Sequence, residues 1–416
     1  DSLEFLSRWH NWDTVLYKGS INAHGRFDKH ISAGTRLALK IPSSKIIMGD
    51  SIWKLQQCNI LIDSSMINID RFKIERDNQS FLVAGDISKN KNDVLQIQFN
   101  DFKLTNFNIL TRNKNMLLDG TLNGNSTISN VYRDLTFATD LHVDDLQLNN
   151  ELIGNTYVKS GYVSNKKMID IHAFATRGSL KTVEIKGDYH PESHGVDFNI
   201  ELNKLRINLL NPYAKRIASN IKGIASGKVN LIGTIDKPLF NGTVDFNKTS
   251  FKVDYLNTQY SFSDAIKIVN NNIIFSSLKI FDSEGNVATA SGAVSNSYLK
   301  DFNLNLTFDA HDFLFLKTTY ADNQDFYGNA YASGRVSLKG TPRDITIDVN
   351  AQTNEKTQFN IPLNAEEDVT THDFVRFVSP NQNNDDFNKN TNPQSISGIK
   401  LNFDLDITPD AEVQLI

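Results

Sequence analysis

The sequence predicts an all-β chain of antiparallel strands. Three observations predict it: clean period-two alternation, scarce helical periodicity, and glycine landmarks that return about every 103 residues. The alternation is plainest in four runs. Phe302, Leu304, Leu306 and Phe308 alternate with Asn303, Asn305, Thr307 and Asp309, and Leu401, Phe403, Leu405 and Ile407 with Asn402, Asp404, Asp406 and Thr408. Leu95, Ile97 and Phe99 alternate with Gln96, Gln98 and Asn100, and Val196, Phe198, Ile200 and Leu202 with Asp197, Asn199, Glu201 and Asn203. Successive side chains of a strand point to opposite faces, so each run has one apolar and one wet face. Antiparallel sheets with one solvated face read this way, whereas the strands of a buried parallel sheet are apolar throughout.

Helical pattern is confined to short pieces. The best candidate is Asn211–Asn220, where Asn211 suits an N-cap and Pro212 the first helical position.

The repeats carry the domain organisation. Tyr17–Phe27 reads against Tyr327–Val336 with both glycines in register, and Gly120–Gly124 and Gly223–Val229 lie between them. The leading glycines, Gly19, Gly120, Gly223 and Gly328, are spaced by 101, 103 and 105 positions. A second set, Gly85, Gly187 and Gly292, is spaced by 102 and 105, and a polar loop and an alternating run follow each member. Glycine inside a strand pattern marks a bulge, a bend or a close backbone approach. Its return at one offset predicts about four similar β units, near 17–118, 119–221, 222–326 and 327–416, stacked as one elongated array. A continuous apolar face of that length needs cover, from a second sheet, from the same sheet folded over, or from lipid.

Composition removes several function classes. The 416 residues are 39% hydrophobic and 22% charged, as globular chains are. A formal charge of −5 without a Lys/Arg cluster argues against nucleic acid as a partner. No apolar run approaches the roughly eighteen residues of a membrane helix. Cys58 is the one cysteine, so there is no disulfide framework or cysteine metal cluster, and such sparse use suits a compartment where thiols oxidise. The chain starts at Asp1 and stops within the alternating run Ala411–Leu415, so it reads as an internal fragment, and a signal or anchor segment is expected elsewhere. Residues 379–398, rich in Asn, Asp, Gln and Ser, read as a long loop.

Catalytic patterns are missing. There is no nucleophile elbow, P-loop or dinucleotide fingerprint. His190-Pro191-Glu192-Ser193-His194 lacks the His-Glu-x-x-His order, and Pro191 forbids a mid-helix geometry, so it reads as a loop and not a metal site. Asp140, Asp144 and Asp145 sit on polar faces, where a solvated charge is the default. The sequence therefore predicts no enzyme, no cofactor and no metal.

Several runs carry a family resemblance. Gly223-x3-Gly227-Lys228-Val229-Asn230-Leu231-Ile232-Gly233-Thr234-x3-Pro238-x3-Gly242-Thr243-Val244 resembles the repeat of TamB proteins, members of the AsmA-like group. So does the succession Val253–Phe262, Phe281-Asp282-Ser283-Glu284-Gly285 and Phe326–Gly334. Ala351–Leu363 and Phe374–Phe377 are similar to TamB-like proteins of the Bacteroidota in particular. The specific similarity spans about residues 140–378, and upstream it rests on the glycine landmarks alone.

That resemblance implies a taco-shaped β-groove, apolar inside and polar outside. It implies a periplasmic protein, anchored in the inner membrane by a segment outside this chain and reaching the outer membrane. There it would conduct phospholipids and support outer-membrane biogenesis with an Omp85-type partner of the TamA kind. Acyl chains would then lie against Leu95, Ile97, Phe99, Phe198, Ile200, Leu202, Val229, Leu231, Leu304, Leu306, Phe308, Val336 and Leu338. The residues alone leave two other readings open. One is a repetitive adhesive or scaffolding rod with a closed core, for which Trp12 and Trp53 supply few aromatic platforms; the other is a membrane β-barrel with its apolar face outward.

Overall fold

The computed structural model describes residues 2–11, 17–30, 34–48, 51–90, 92–111, 116–132, 135–214, 217–324, 326–362 and 399–416. The loop expected at 379–398, Phe374–Phe377 and Trp12 lie outside them. The chain forms two compact units, one of Asp1–Tyr213, Gly223–Phe246 and Ile268–Asn270, the other of Ala214–Lys222, Asn247–Lys267 and Asn271–Ile416.

Among the described residues there are 26 strands. The first unit opens with β1 (Ser2–His10), β2 (Lys18–His30), β3 (Gly34–Ile41), β4 (Ser44–Met48), β5 (Ser51–Leu55) and β6 (Cys58–Ile62). It continues with β7 (Met66–Arg76), β8 (Gln79–Ser88), β9 (Val94–Lys103), β10 (Leu118–Ser129) and β11 (Thr136–Leu148). Then come β12 (Glu151–Val163), β13 (Met168–Arg177), β14 (Leu180–His190) and β15 (Gly195–Arg206). Next in the chain are β16 (Ala218–Thr234), β17 (Pro238–Val253), β18 (Thr258–Val269) and β19 (Asn272–Phe281). The second unit ends with β20 (Val287–Ser297), β21 (Lys300–Thr318), β22 (Tyr327–Thr341), β23 (Asp344–Thr353), β24 (Gln358–Ile361), β25 (Ile399–Asp406) and β26 (Glu412–Leu415).

From β7 to β16 each strand pairs antiparallel with the next, and β19 to β23 do the same. Two expectations need correction. The sheet is not antiparallel throughout: β25 runs parallel to β23, with Val349 opposite Phe403, and β26 runs parallel to β24. Residues 362–398, between β24 and β25, are long enough for the crossover that a parallel pair demands. Nor is the alternating run at 401–407 half-covered, since Phe403, Leu405 and Ile407 are all exposed.

The helix expected at Asn211–Asn220 shrinks to α2 (Asn211–Ala214), because Ala218–Asn220 already belong to β16. Asn211 is not its N-cap: a 3-10 turn at Ile207–Leu210 runs directly into it, and the Asn211 amide donates to the Asn208 carbonyl at 2.9 Å. The same pair of turns follows β9, a 3-10 turn at Leu104–Phe107 leading into α1 (Asn108–Thr111). In both places the first residue of the 3-10 turn, Leu104 or Ile207, is buried.

Ahead of these turns the ladder carries a bulge whose chemistry recurs. Asp101 in β9, Lys204 in β15 and Asp312 in β21 adopt φ of 47°, 53° and 50°. Each of their backbone N–H groups donates to a side chain on the following strand: Asn123 Oδ1 at 2.7 Å, Ser226 Oγ at 2.9 Å and Ser333 Oγ at 2.8 Å. The register shifts at each site, at Leu122/Gly124, Leu202/Leu205 and Ala310/Phe313. An extra residue in one strand leaves an N–H out of the ladder, and the neighbouring side chain satisfies it.

Packing differs on the two sides of the bulge. Beyond it, Phe102 and Leu104, Ile207, and Phe313, Leu314 and Leu316 are buried. In the first unit Phe102 packs with Trp53, Ile46, Leu122 and Val143, and its ring lies 5.5 Å from that of the fully buried Trp53. In the second unit Phe313 stacks on Tyr260 at 5.4 Å. The Tyr260 hydroxyl donates to the carbonyls of Leu314 and Phe315. Beside it the buried Asp282 carboxylate accepts N–H groups from Glu284, Asn286 and Leu314 at 2.8–2.9 Å, which explains the Phe281–Gly285 motif as a turn that pins β21.

The landmark glycines are needed where they stand. Gly85, Gly187 and Gly292 have φ of 117°, 156° and 125°, and a Cβ on each would run into the carbonyl oxygen of Val94, Asp197 or Asn305 on the facing strand. Gly187→Ala is therefore expected to cost about 1–3 kcal/mol. Gly161→Ala, whose Cβ meets nothing nearer than 3.7 Å, should be neutral or mildly stabilising. Urea unfolding midpoints of the two variants check this.

Candidate functional site

The thirteen residues singled out from the sequence fall on one face of their strands. In the first unit Leu95, Ile97 and Phe99 stand on β9, opposite Gly85, Val83 and Phe81 of β8 and opposite Ile128, Ser126 and Gly124 of β10. Phe198, Ile200 and Leu202 on β15 face Gly187, Ile185 and Val183 on one side, and Leu231, Val229 and Gly227 of β16 on the other. In the second unit Leu304, Leu306 and Phe308 on β21 lie between Val294, Gly292 and Ala290 of β20 and Gly340, Leu338 and Val336 of β22. Directly opposed residues share a face, so each unit carries an apolar row that crosses several strands.

The burial of these rows is the informative quantity. Leu95, Val229 and Val336 are buried at 7–8% exposure, and the other ten are only half-buried. A closed sandwich core would bury all of them. The rows thus differ from the tightly packed ends beyond the bulges. Phe99 is the intermediate case, because its ring packs at 5.1 Å against Phe81 and at 5.7 Å against Phe102, at the margin of the Trp53 cluster.

The opposite face is polar and ion-paired. Gln96, Gln98, Asn199, Glu201 and Lys228 are exposed, and Lys228 pairs with Glu201 at 2.6 Å. Asp140 pairs with Lys159 at 3.1 Å, and Asp144 takes the His142 ring at 2.8 Å. The His142 ring stacks on Tyr157 at 5.1 Å, Tyr157 on Phe174 at 4.9 Å, and Lys181 caps the Phe174 ring at 4.9 Å. Next to this stack, Glu184 accepts from Lys186, Lys181 and His172 at 2.8–3.0 Å. Those hydrogen bonds, Lys186 first, hold its carboxyl down at about 2.

Pro191–His194 form the turn between β14 and β15, as read from the sequence, and the His190 ring is engaged by Asp188 at 2.8 Å. Among the described residues no three His, Cys, Asp or Glu side chains are placed to hold a metal ion, and no helix is long and apolar enough to cross a membrane. Cys58 is buried, and burial pushes its thiol up, away from the reactive thiolate. Trp53 is wholly buried and offers no platform. The sequence reading missed the side chains that satisfy the bulges, Asn123, Ser226 and Ser333. Their signal was available: each stands three or five positions after a landmark glycine, Gly120, Gly223 or Gly328.

These rows and their polar reverse define a class: a β-strand chain whose apolar face, among the described residues, is incompletely sealed by its own side chains. Residues 276–416 match the family model described as the TamB C-terminal domain, so the last third of the chain is similar to TamB proteins. The match takes in the Asp282 turn, β21 and β22, and it reaches β25 and β26; the glycine run at 223–244 lies upstream of it. No curated protein and no solved structure matches the chain significantly.

The Glu184 cluster sets a pH dependence. A carboxyl held low in the folded state adds stability above its unfolded pKa, near 4.3, and that stability is lost as pH falls from about 4.3 toward 2. Glu184→Gln is expected to lower the unfolding midpoint at pH 7, and the gap from the unsubstituted protein should close between pH 5 and pH 2. A gap that is constant with pH would contradict the assignment.

Proposed function

We propose that the apolar rows form the inner wall of a curled β-groove that conducts phospholipids through the periplasm, between inner and outer membrane. The observation that carries this reading is the half-burial of Phe198, Ile200 and Leu202 together with their cross-strand partners Ile185, Val183 and Leu231, beside an exposed, ion-paired reverse face. An acyl chain in water costs about 0.8 kcal/mol per CH₂, so a diacyl lipid that leaves a bilayer meets a barrier of tens of kcal/mol. A half-covered apolar wall lowers that barrier by contact alone, with no catalysis and no cofactor. Its aliphatic and aromatic lining holds the chains without a directional polar bond that would trap them.

The recurring bulges support an array of similar units near 17–118, 119–221, 222–326 and 327–416. Asp101, Lys204 and Asp312 stand 103 and 108 positions apart, close to the glycine spacing, and the turn pairs after β9 and β15 keep the same interval. In this reading the packed ends beyond the bulges form the closed spine, and the half-buried rows line the open trough. The match at residues 276–416 supports a role in outer-membrane biogenesis alongside an outer-membrane partner of the TamA, Omp85 type. It equally supports a place in the cell envelope, and we propose inner-membrane attachment through further sequence.

Phospholipid is expected to co-purify with the protein prepared without detergent, at a defined stoichiometry by mass spectrometry. Ile200→Asp should cut the retained lipid at least fivefold, while Asn199→Asp on the opposite face should leave it unchanged. A folded, lipid-free protein, or equal retention by both variants, would contradict the groove.

A further inference from the structure

The apolar face of the first unit carries a polar interruption. On β10, β11 and β12, Ser126, Thr139 and Ser160 stand directly opposite one another, between Ile97 of β9 and Ile171 of β13. Opposed residues share a face, and the same line runs on to Gly187 and Phe198, so these hydroxyls lie on the face of the apolar rows. The levels on either side of them are apolar: Ile128 faces Phe137, and Leu141 faces Val158.

Later strands carry valine at the matching place. Ser126, Val229 and Val336 are 103 and 107 positions apart, and each stands two positions after a glycine, Gly124, Gly227 or Gly334. Those glycines face Phe99, Leu202 and Ala310, each just ahead of a register shift, so the three positions are equivalent in the ladder as well. Their burial is the same, at 7%, 8% and 8% exposure. Val336 faces Val349 on the following strand, where Ser126 faces Thr139. Valine meets the packing and strand preference of such a position, so the fold does not call for hydroxyls here.

The hydroxyls have donor capacity to spare. Thr139 Oγ1 donates to Ser126 Oγ at 2.9 Å. That pair holds two protons and shares one bond, and either hydroxyl can turn, so one donor is left over. Ser160 is half-buried, and its hydroxyl takes no hydrogen bond among the described residues. Water satisfies such donors while the face is wet. Once hydrocarbon covers it, an unpaired donor is costly unless what covers it brings an acceptor.

We propose that Thr139 and Ser160, with the more deeply buried Ser126 as the partner of Thr139, form a subsite that hydrogen-bonds the ester carbonyls of a glycerolipid lying in the groove. This rests on the groove reading and adds to it one place where the wall recognises the ester linkage as well as the chain. An ester carbonyl is an acceptor at the head of a hydrocarbon chain, which matches donors set between apolar levels. A dialkyl ether of the same size offers no carbonyl.

The test measures equilibrium binding of two short-chain lipids to the full chain, below their micelle concentrations: dihexanoylphosphatidylcholine and its di-O-hexyl ether analogue. The ester is expected to bind at least fivefold tighter than the ether. Thr139→Val/Ser160→Ala should erase that preference and leave the affinity for the ether alone, whereas Thr139→Ser, which keeps the hydroxyl, should retain it. Ser160→Ala by itself should lower the preference at least twofold, which decides the matter if the double variant fails to fold. Equal binding of the two lipids would overturn the ester subsite and leave the groove standing. A preference that survives in the folded double variant would do the same. Failure of both lipids to bind would overturn the groove reading itself.

Discussion

Strict side-chain alternation is the constraint on which the rest of this structure depends. A strand shows its apolar residues to one face only while its register holds, and one extra residue moves every later side chain to the other face. Here the extra residue is used in the opposite sense. In β15 the half-buried side chains run on even positions to Leu202, and after the bulge at Lys204 the apolar ones are Leu205 and Ile207. In β9 they pass from Leu95, Ile97 and Phe99 to Phe102 and Leu104. The sequence phase changes and the spatial face does not. What would be a register error without a partner for the stranded N–H becomes a stable bend, because Asn123, Ser226 or Ser333 accepts that N–H.

The bulge also divides the labour along each strand. Side chains beyond it close on one another, around Trp53 and Phe102 in one unit and around Tyr260 and Phe313 in the other. Side chains ahead of it remain partly open. Apolar area left in this state favours association with hydrocarbon by roughly 25 cal/mol per Å² covered, without any specific contact.

Much of this was legible in the residues. The alternation at 95–99, 198–202 and 304–308 located the rows, because period two has one structural meaning when polar and apolar residues are cleanly segregated. Gly85, Gly187 and Gly292 marked close backbone approaches that no other residue tolerates. The Phe281–Gly285 motif marked a real junction, although its physical content, a buried carboxylate collecting backbone donors, needed coordinates. Other features were hidden for stated reasons. The bulges break the alternation by one residue, which in a sequence looks like noise at Asn203-Lys204. The segment after Asn211 reads as helix by its cap and proline, yet cross-strand pairing from Ala218 onward wins over that local preference. The parallel direction of β25 and β26 leaves no mark in the pattern of Leu401–Ile407, since alternation is the same in either direction.

The central claim is that the row at Ile200 and Leu306 meets acyl chains in the membrane-bounded compartment where the protein works, and its reverse does not. Photocrosslinking tests this most directly. A benzophenone amino acid placed in turn at Ile200, Leu306, Asn199 and Asn305 of the chain, in cells grown with radiolabelled phosphate, should give labelled phospholipid adducts at the first two positions and none at the last two. Adducts at all four positions, or at none, would contradict the account.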